Sequence, residues 1–219
     1  MSPPVAEARD VVIAPSARWA IMTPFRPLFV AGPPMTILKE EMSLFPETLL
    51  DEAPCGVVAR RWFALYTKAR QEKSLARELL KYQVPFYLPL VKKTSVSGGR
   101  TRTSMLPLLG GYVFLCGTEE ERIKSLTTNR VSRVLPVEDS EQLVFDLRQL
   151  RQLIAANVPL TVESRLAPGQ RVRVRHGAFA ELEGTILKRR GETRLLVSVN
   201  FLQQGASVEI DDFLLERLE

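Results

Sequence analysis

Hydrophobic and polar residues alternate most cleanly toward the C-terminus, where Val172 and Val174 are interleaved with Arg171, Arg173 and Arg175. Period-two alternation bounded by turn residues is the pattern of a half-buried strand. The bounds here are Pro168-Gly169 before it and His176-Gly177 after it. A short acidic and apolar crossing follows, and Gly184 opens another β-rich run. A glycine inside a strand pattern predicts a bulge or a tight bend that a side chain would block. Further strands are expected at 185–188, 195–200 and 206–210, the last after the Gln203-Gln204-Gly205 turn, with 213–218 closing the chain. Short strands with glycine-rich breaks predict a small β-barrel.

Upstream the period changes. Trp62 to Thr67 is aromatic and β-prone, a first strand. From Arg70 to Tyr82, Leu75, Leu79 and Leu80 recur at helical spacing, and Pro85 stops the helix. The run 86–91 reads as a proline-tolerant edge strand. Ser97-Gly98-Gly99-Arg100 is a hairpin tip, with 103–109 as the returning strand. Gly110-Gly111 turns into a short buried strand at 112–115. A helix over 119–126 takes Thr118 as its N-cap, with three glutamates in its first turn. A strand at 131–137 precedes a last helix, capped by Ser140 and running to about residue 156, with Leu143, Leu147, Leu150 and Ile154 on one face. The order β-α-β-β-β-α-β-α defines an α+β sheet with helices packed on it.

These patterns divide the chain into an extension at 1–58, an α+β domain at 59–157, a linker at 158–166 and a β-barrel domain at 167–219. The extension carries repeated prolines and no sustained period, so it is expected to be mostly disordered or loosely attached. It makes a poor signal peptide, and Met35 and Met42 are alternative starts nearer the folded part.

Charge is unevenly placed. Residues 1–58 hold 4 Lys/Arg against 7 Asp/Glu, residues 59–157 hold 17 against 9, and residues 158–219 hold 9 against 9. A basic middle domain beside a neutral one suggests that the first meets a polyanion and the second a protein. With one histidine and two cysteines, Cys55 and Cys116, there is neither a disulfide framework nor a zinc ligand set, so no metal or cofactor is expected. No phosphate-binding loop, dinucleotide fingerprint or nucleophile–base pairing is present, and His176 sits in a turn, so catalysis is not expected. No apolar run reaches the roughly 18–20 residues needed to span a bilayer, so a cytoplasmic monomer is the expectation.

The segments PGQRVRVRHGAFAELEGTI, WFALYTK and LLGGYVF together resemble the NusG family of transcription elongation factors, whose α+β NGN domain precedes a KOW β-barrel. The resemblance covers about residues 60–219. WFALYTK, PFYLP and the basic loop look closest to specialised members of the RfaH and capsule-operon antiterminator type. It implies suppression of pausing and antitermination of transcription, without catalysis. It implies docking on the β′ clamp helices of RNA polymerase through Tyr66, Leu109, Tyr112 and Phe114. A Gly110-Gly111 step stands where the family has Pro-Gly or Pro-Asn, and the polymerase β-subunit contact has only Lys124-Ser125-Leu126-Thr127-Thr128 as its nearest segment. The non-template DNA strand would meet Lys68 and Arg130, with Arg70, Lys92, Lys93, Arg100 and Arg102 adding a positive field. In the barrel, Phe179 and Ala180 would meet Rho or a small-subunit ribosomal protein, and Gly184 is structural. The alternative is a KOW-containing ribosome-associated or RNA-binding protein, in which the aromatic face around Tyr112 would be buried.

Overall fold

The computed structural model describes residues 41–51, 60–163, 169–189, 192–211 and 214–218. In chain order the elements begin with β1 (Leu44–Phe45), β2 (Arg61–Thr67), α1 (Glu72–Lys81), β3 (Phe86–Tyr87), β4 (Leu90–Ser97), β5 (Arg100–Pro107) and β6 (Tyr112–Gly117). They continue with α2 (Glu119–Thr127), β7 (Val131–Pro136), α3 (Ser140–Ala155), β8 (Thr161–Glu163), β9 (Arg171–Val174), β10 (Glu183–Arg189), β11 (Glu192–Val199), β12 (Gln204–Glu209) and β13 (Leu215–Arg217). The strands form three antiparallel arrays: β1-β3-β6-β2-β7, the two-stranded ribbon β4-β5, and β13-β9-β10-β11-β12-β8. The architecture is α+β, with an NGN-type sheet followed by a β-rich, KOW-like unit.

Alternation along β2 sends its side chains to two cores. Phe63 and Leu65 join Leu75, Ala76 and Leu79 of α1 on one side of the first sheet. Trp62 and Ala64 join Leu143, Leu147 and Leu150 of α3 on the other. That second core continues without a break into Val172, Val174, Leu195 and Val197 of the C-terminal sheet. Helix α3 therefore lies against both sheets. Each fully buried leucine of its stripe contributes about 1.5–3 kcal/mol relative to exposure. Its polar flanks are tied as well. Asp146 accepts the Asn200 N–H at 2.9 Å, Gln149 accepts the Glu183 N–H at 3.0 Å, and Gln152 donates to the Ala180 carbonyl at 2.8 Å. On its other flank Arg148 bonds the Leu50 carbonyl and Arg151 bonds the Asp51 carboxylate.

Several expectations are revised. Part of the predicted extension is built into the fold: β1 pairs with β3, and Leu50 is fully buried. The rest of 1–58, Cys55 included, lies outside the described residues. The predicted linker supplies β8, which pairs with β12, while 164–166 are not among the described residues. The 86–91 run is two strands, since Leu88-Pro89 interrupts the ladder between β3 and β4. Helix α3 is capped by Asp139, whose carboxylate accepts the Gln142 N–H at 2.8 Å, and Ser140 is its first helical residue. Thr118 does cap α2, in a reciprocal box with Glu121. Gly184 marks no bulge, for it stands in regular register opposite Val172. A Cβ there would lie 2.4 Å from the Leu196 carbonyl oxygen, so the glycine permits the close approach of β10 and β11.

Candidate functional site

Tyr66 and Tyr112 stand directly opposite each other on β2 and β6. Their ring centroids are 5.1 Å apart with planes inclined at 53°, a tilted arrangement that aromatic quadrupoles favour. They share a sheet face with Trp62, Ala64, Phe114 and Cys116, which are buried, yet Tyr66 remains 42% exposed. Leu109 and Phe114 are at 0% exposure. Of the four predicted docking residues, two present rings at the surface and two lie in the core as their support.

The turn before β6 fixes this geometry. Gly111 has φ +84°, and a Cβ there would come within 2.8 Å of Tyr66 Cε2. Only glycine lets the Tyr66 ring lie this close in that left-handed conformation. The turn is also held at its backbone: Gly111 N–H donates to the buried Glu72 carboxylate at 2.8 Å, and the Gly111 carbonyl accepts from Thr67 N–H at 2.7 Å. Rigidity lost with proline is thus supplied by the start of α1. Next to the rings is a hollow of about 330 Å³ lined by Tyr66, Gly110, Tyr112, Ser132, Arg133, Leu135 and Gln204. Partial burial raises the Tyr112 phenol above its ordinary value, the neighbouring Tyr66 adds to this, and Arg133 partly counters it. The hollow therefore offers a protonated hydroxyl, an apolar wall and one guanidinium.

The predicted basic residues fall into two groups. Lys68 N–H bonds the Arg130 carbonyl at 2.8 Å, so these two lie side by side at the end of β2. Lys68 Nζ donates to Asn129 Oδ1 at 2.7 Å. Arg130 donates to Gln71 at 2.7 Å and lies 3.9 Å from the Glu78 carboxylate, which ties its guanidinium to α1. Arg70 is exposed nearby. Arg100 and Arg102, with Lys92 and Lys93, stand on the separate β4–β5 ribbon. Phe179 is partly buried against the core shared with α3, and the Ala180 carbonyl is held by Gln152.

Sequence reasoning missed Glu72, Arg133, Leu135 and Gln204. Arg133 faces Tyr66 and Leu135 faces Ala64 only because β7 pairs with β2, a long-range neighbour relation that alternation alone does not encode. Among the described residues, no group of His, Cys, Asp and Glu could hold a metal ion, and no helix is long and apolar enough to cross a membrane. Burial pushes the Cys116 thiol up to about 11, with Arg60 partly countering it, so it is no activated nucleophile.

Residues 60–153, less than half of the chain, match the family model "Transcription termination factor nusG". No curated protein matches the sequence. Among solved structures, a chain of "Crystal Structure of MjSpt4:Spt5 complex conformation B" is similar at 14% identity and a TM-score of 0.25, covering 72% of this chain and 97% of that one.

Proposed function

We propose that this chain is a transcription elongation factor that binds RNA polymerase through the Tyr66–Tyr112 ring pair and the adjoining hollow. The carrying observation is the 42% exposure of Tyr66 on a sheet face whose Trp62 and Phe114 side chains are buried. Exposed aromatic residues set beside an apolar wall and a guanidinium have the composition of an interface hot spot. The occupant is a helical pair such as the polymerase β′ clamp helices, and the function follows from binding energy alone, as suppression of pausing and antitermination. The WFALYTK and PFYLP segments and the basic ribbon favour a specialised antiterminator. Two domains divide the work, 59–157 for the polymerase and 167–219 for a second protein, Rho or a small-subunit ribosomal protein, read through Phe179 and Ala180. Lys68 and Arg70 are placed for the non-template strand, while Arg130 positions α1 beside them.

Capture of core RNA polymerase by the tagged full chain tests this. Tyr66→Ala and Tyr112→Ala are each expected to weaken capture by about tenfold or more, the scale of a hot-spot loss above ~1.4 kcal/mol. Undiminished capture by both variants overturns the docking surface. A ribosome-associated RNA-binding protein would have this aromatic face covered, and the exposure of Tyr66 weighs against that reading.

A further inference from the structure

Strands β13, β9 and β10 carry charge on both faces, but the two faces treat it differently. On one, Arg171, Arg173 and Arg175 each meet Glu183 or Glu216. The other is the core face, where Val172 and Val174 are fully buried and Ile186 and Leu215 pack against the same core. Arg217 stands directly opposite Val172, and directly paired residues share a face. Lys188, two residues beyond Ile186 on β10, falls on that face too. The core runs out here, leaving a hollow of about 420 Å³ lined by Gln170, Val172, Ile186, Lys188, Leu215 and Arg217. Its base is aliphatic, its rim is cationic, and no carboxylate lines it. Among the described residues neither Lys188 nor Arg217 has a side-chain hydrogen-bond or ion-pair partner. Phe179 and Ala180 lie in the loop joining β9 to β10, whereas Gln170 and Lys188 stand at the open end of that hairpin.

The same hollow borders an unused strand edge. β13 ends its sheet and pairs only with β9. The Leu214 carbonyl accepts from Arg175 N–H at 2.8 Å, and Leu218 N–H donates to the Arg171 carbonyl at 3.1 Å. Bonding direction alternates along an antiparallel strand, so the backbone groups of Leu215 and Arg217 point away from β9. The two residues that offer free backbone groups are therefore the two whose side chains line the hollow.

We propose that this edge docks an extended acidic peptide of a partner protein, taken on as a further strand beside β13. Main-chain bonds to Leu215 and Arg217 would hold it, and its alternate side chains would fall over the hollow. An aliphatic side chain covers Ile186 and Leu215, one carboxylate meets Arg217, and another reaches across to Lys188. Two cations around an aliphatic base, with no aromatic ring in the lining, offer no stacking platform for bases. The even charge balance of residues 158–219, 9 against 9, also suits a protein better than a long polyanion. This surface is separate from the ring pair and from Phe179, and rests on neither reading.

The test uses the full chain and a fluorescein-labelled peptide with Glu, Leu and Glu at alternate positions and Thr between them, followed by anisotropy. Lys188→Glu/Arg217→Glu should weaken binding by at least about tenfold, whereas Arg122→Gln on α2 should leave it unchanged. Melting curves check that the double variant is folded. Independently of any variant, N-methylating alternate amides along one edge of the peptide should abolish binding and along the other should spare it, because only one edge bonds β13. Absence of binding at millimolar peptide, equal affinity for the double variant, or indifference to both methylation patterns overturns the proposal. Displacement by an oligonucleotide more readily than by unlabelled peptide would make the hollow a nucleic-acid contact and overturn it as well. So would a dimer in sedimentation that Arg217→Glu dissolves, since a second copy would then occupy the edge. None of these outcomes touches the polymerase experiment.

Discussion

One face of the first sheet has two ends that began alike. Trp62, Ala64 and Tyr66 alternate along β2, and Cys116, Phe114 and Tyr112 stand opposite them on β6. At the Trp62 end the face is sealed in the core shared with α3, and Trp62, Phe114 and Cys116 are at 2%, 0% and 2% exposure. At the Tyr66 end the rings border a hollow. Identical periodicity therefore served two purposes, and the reach of the covering helix separated them. Apolar area at the sealed end stabilises the fold, whereas at the open end part of it stays accessible, Tyr66 at 42%.

The largest expected effect is at the sealed end. Phe114→Ala should destabilise by about 3–5 kcal/mol, from lost transfer energy plus a cavity, read from urea denaturation. Tyr112→Ala should cost only about 1 kcal/mol, the scale of an aromatic pair; equal losses would erase the distinction between the ends. Between these lies Gly111→Ala, at about 1–2 kcal/mol for forcing a side chain into a left-handed conformation. It should also weaken polymerase capture although both tyrosines remain, because the new methyl displaces the Tyr66 ring. Normal capture would show that ring pose is immaterial.

Asp146, on the far side of α3, gives a smaller, pH-dependent effect. Burial raises its carboxyl above the ordinary value, against the opposing bonds from Asn200 and Gln142, and Asp139 adds to the rise. In the window between the unfolded value and the raised folded value, the native state holds a proton that the unfolded chain has released. Stability from this group is thus present at low pH and lost as pH climbs through that window. The melting temperature of Asp146→Asn minus that of wild type should grow with pH across it; a flat difference refutes the assignment. The smallest effect is kinetic. With its thiol at about 11 and buried, Cys116 in the native protein should resist alkylation at pH 8, followed by site-resolved mass spectrometry, and react once urea is added.

Elements with strong periodicity were legible in the sequence: β2, α1, β6, the capped α2 and the leucine stripe of α3. The aromatic positions of the site were legible too, and so in outline was their division, since the hydroxyls of Tyr66 and Tyr112 suit a rim and Phe114 suits the core. That division depends on which helix covers which end of a strand. β1 escaped notice because two residues carry no period and their pairing with β3 is remote in sequence. The ties of Arg130 to Gln71 and Glu78 were not legible, because they require α1 to be in place. Gln149 and Gln152 had the spacing of a solvated helix flank, yet both bond the C-terminal strands.

Those two glutamines carry a thermal consequence. Because α3 is bonded and packed from two directions, melting either set of strands strips shelter from the same leucines. Calorimetry should then record one endotherm across both halves of the chain, with backbone amides in β2 and β11 surrendering their protons to deuterium on a common schedule.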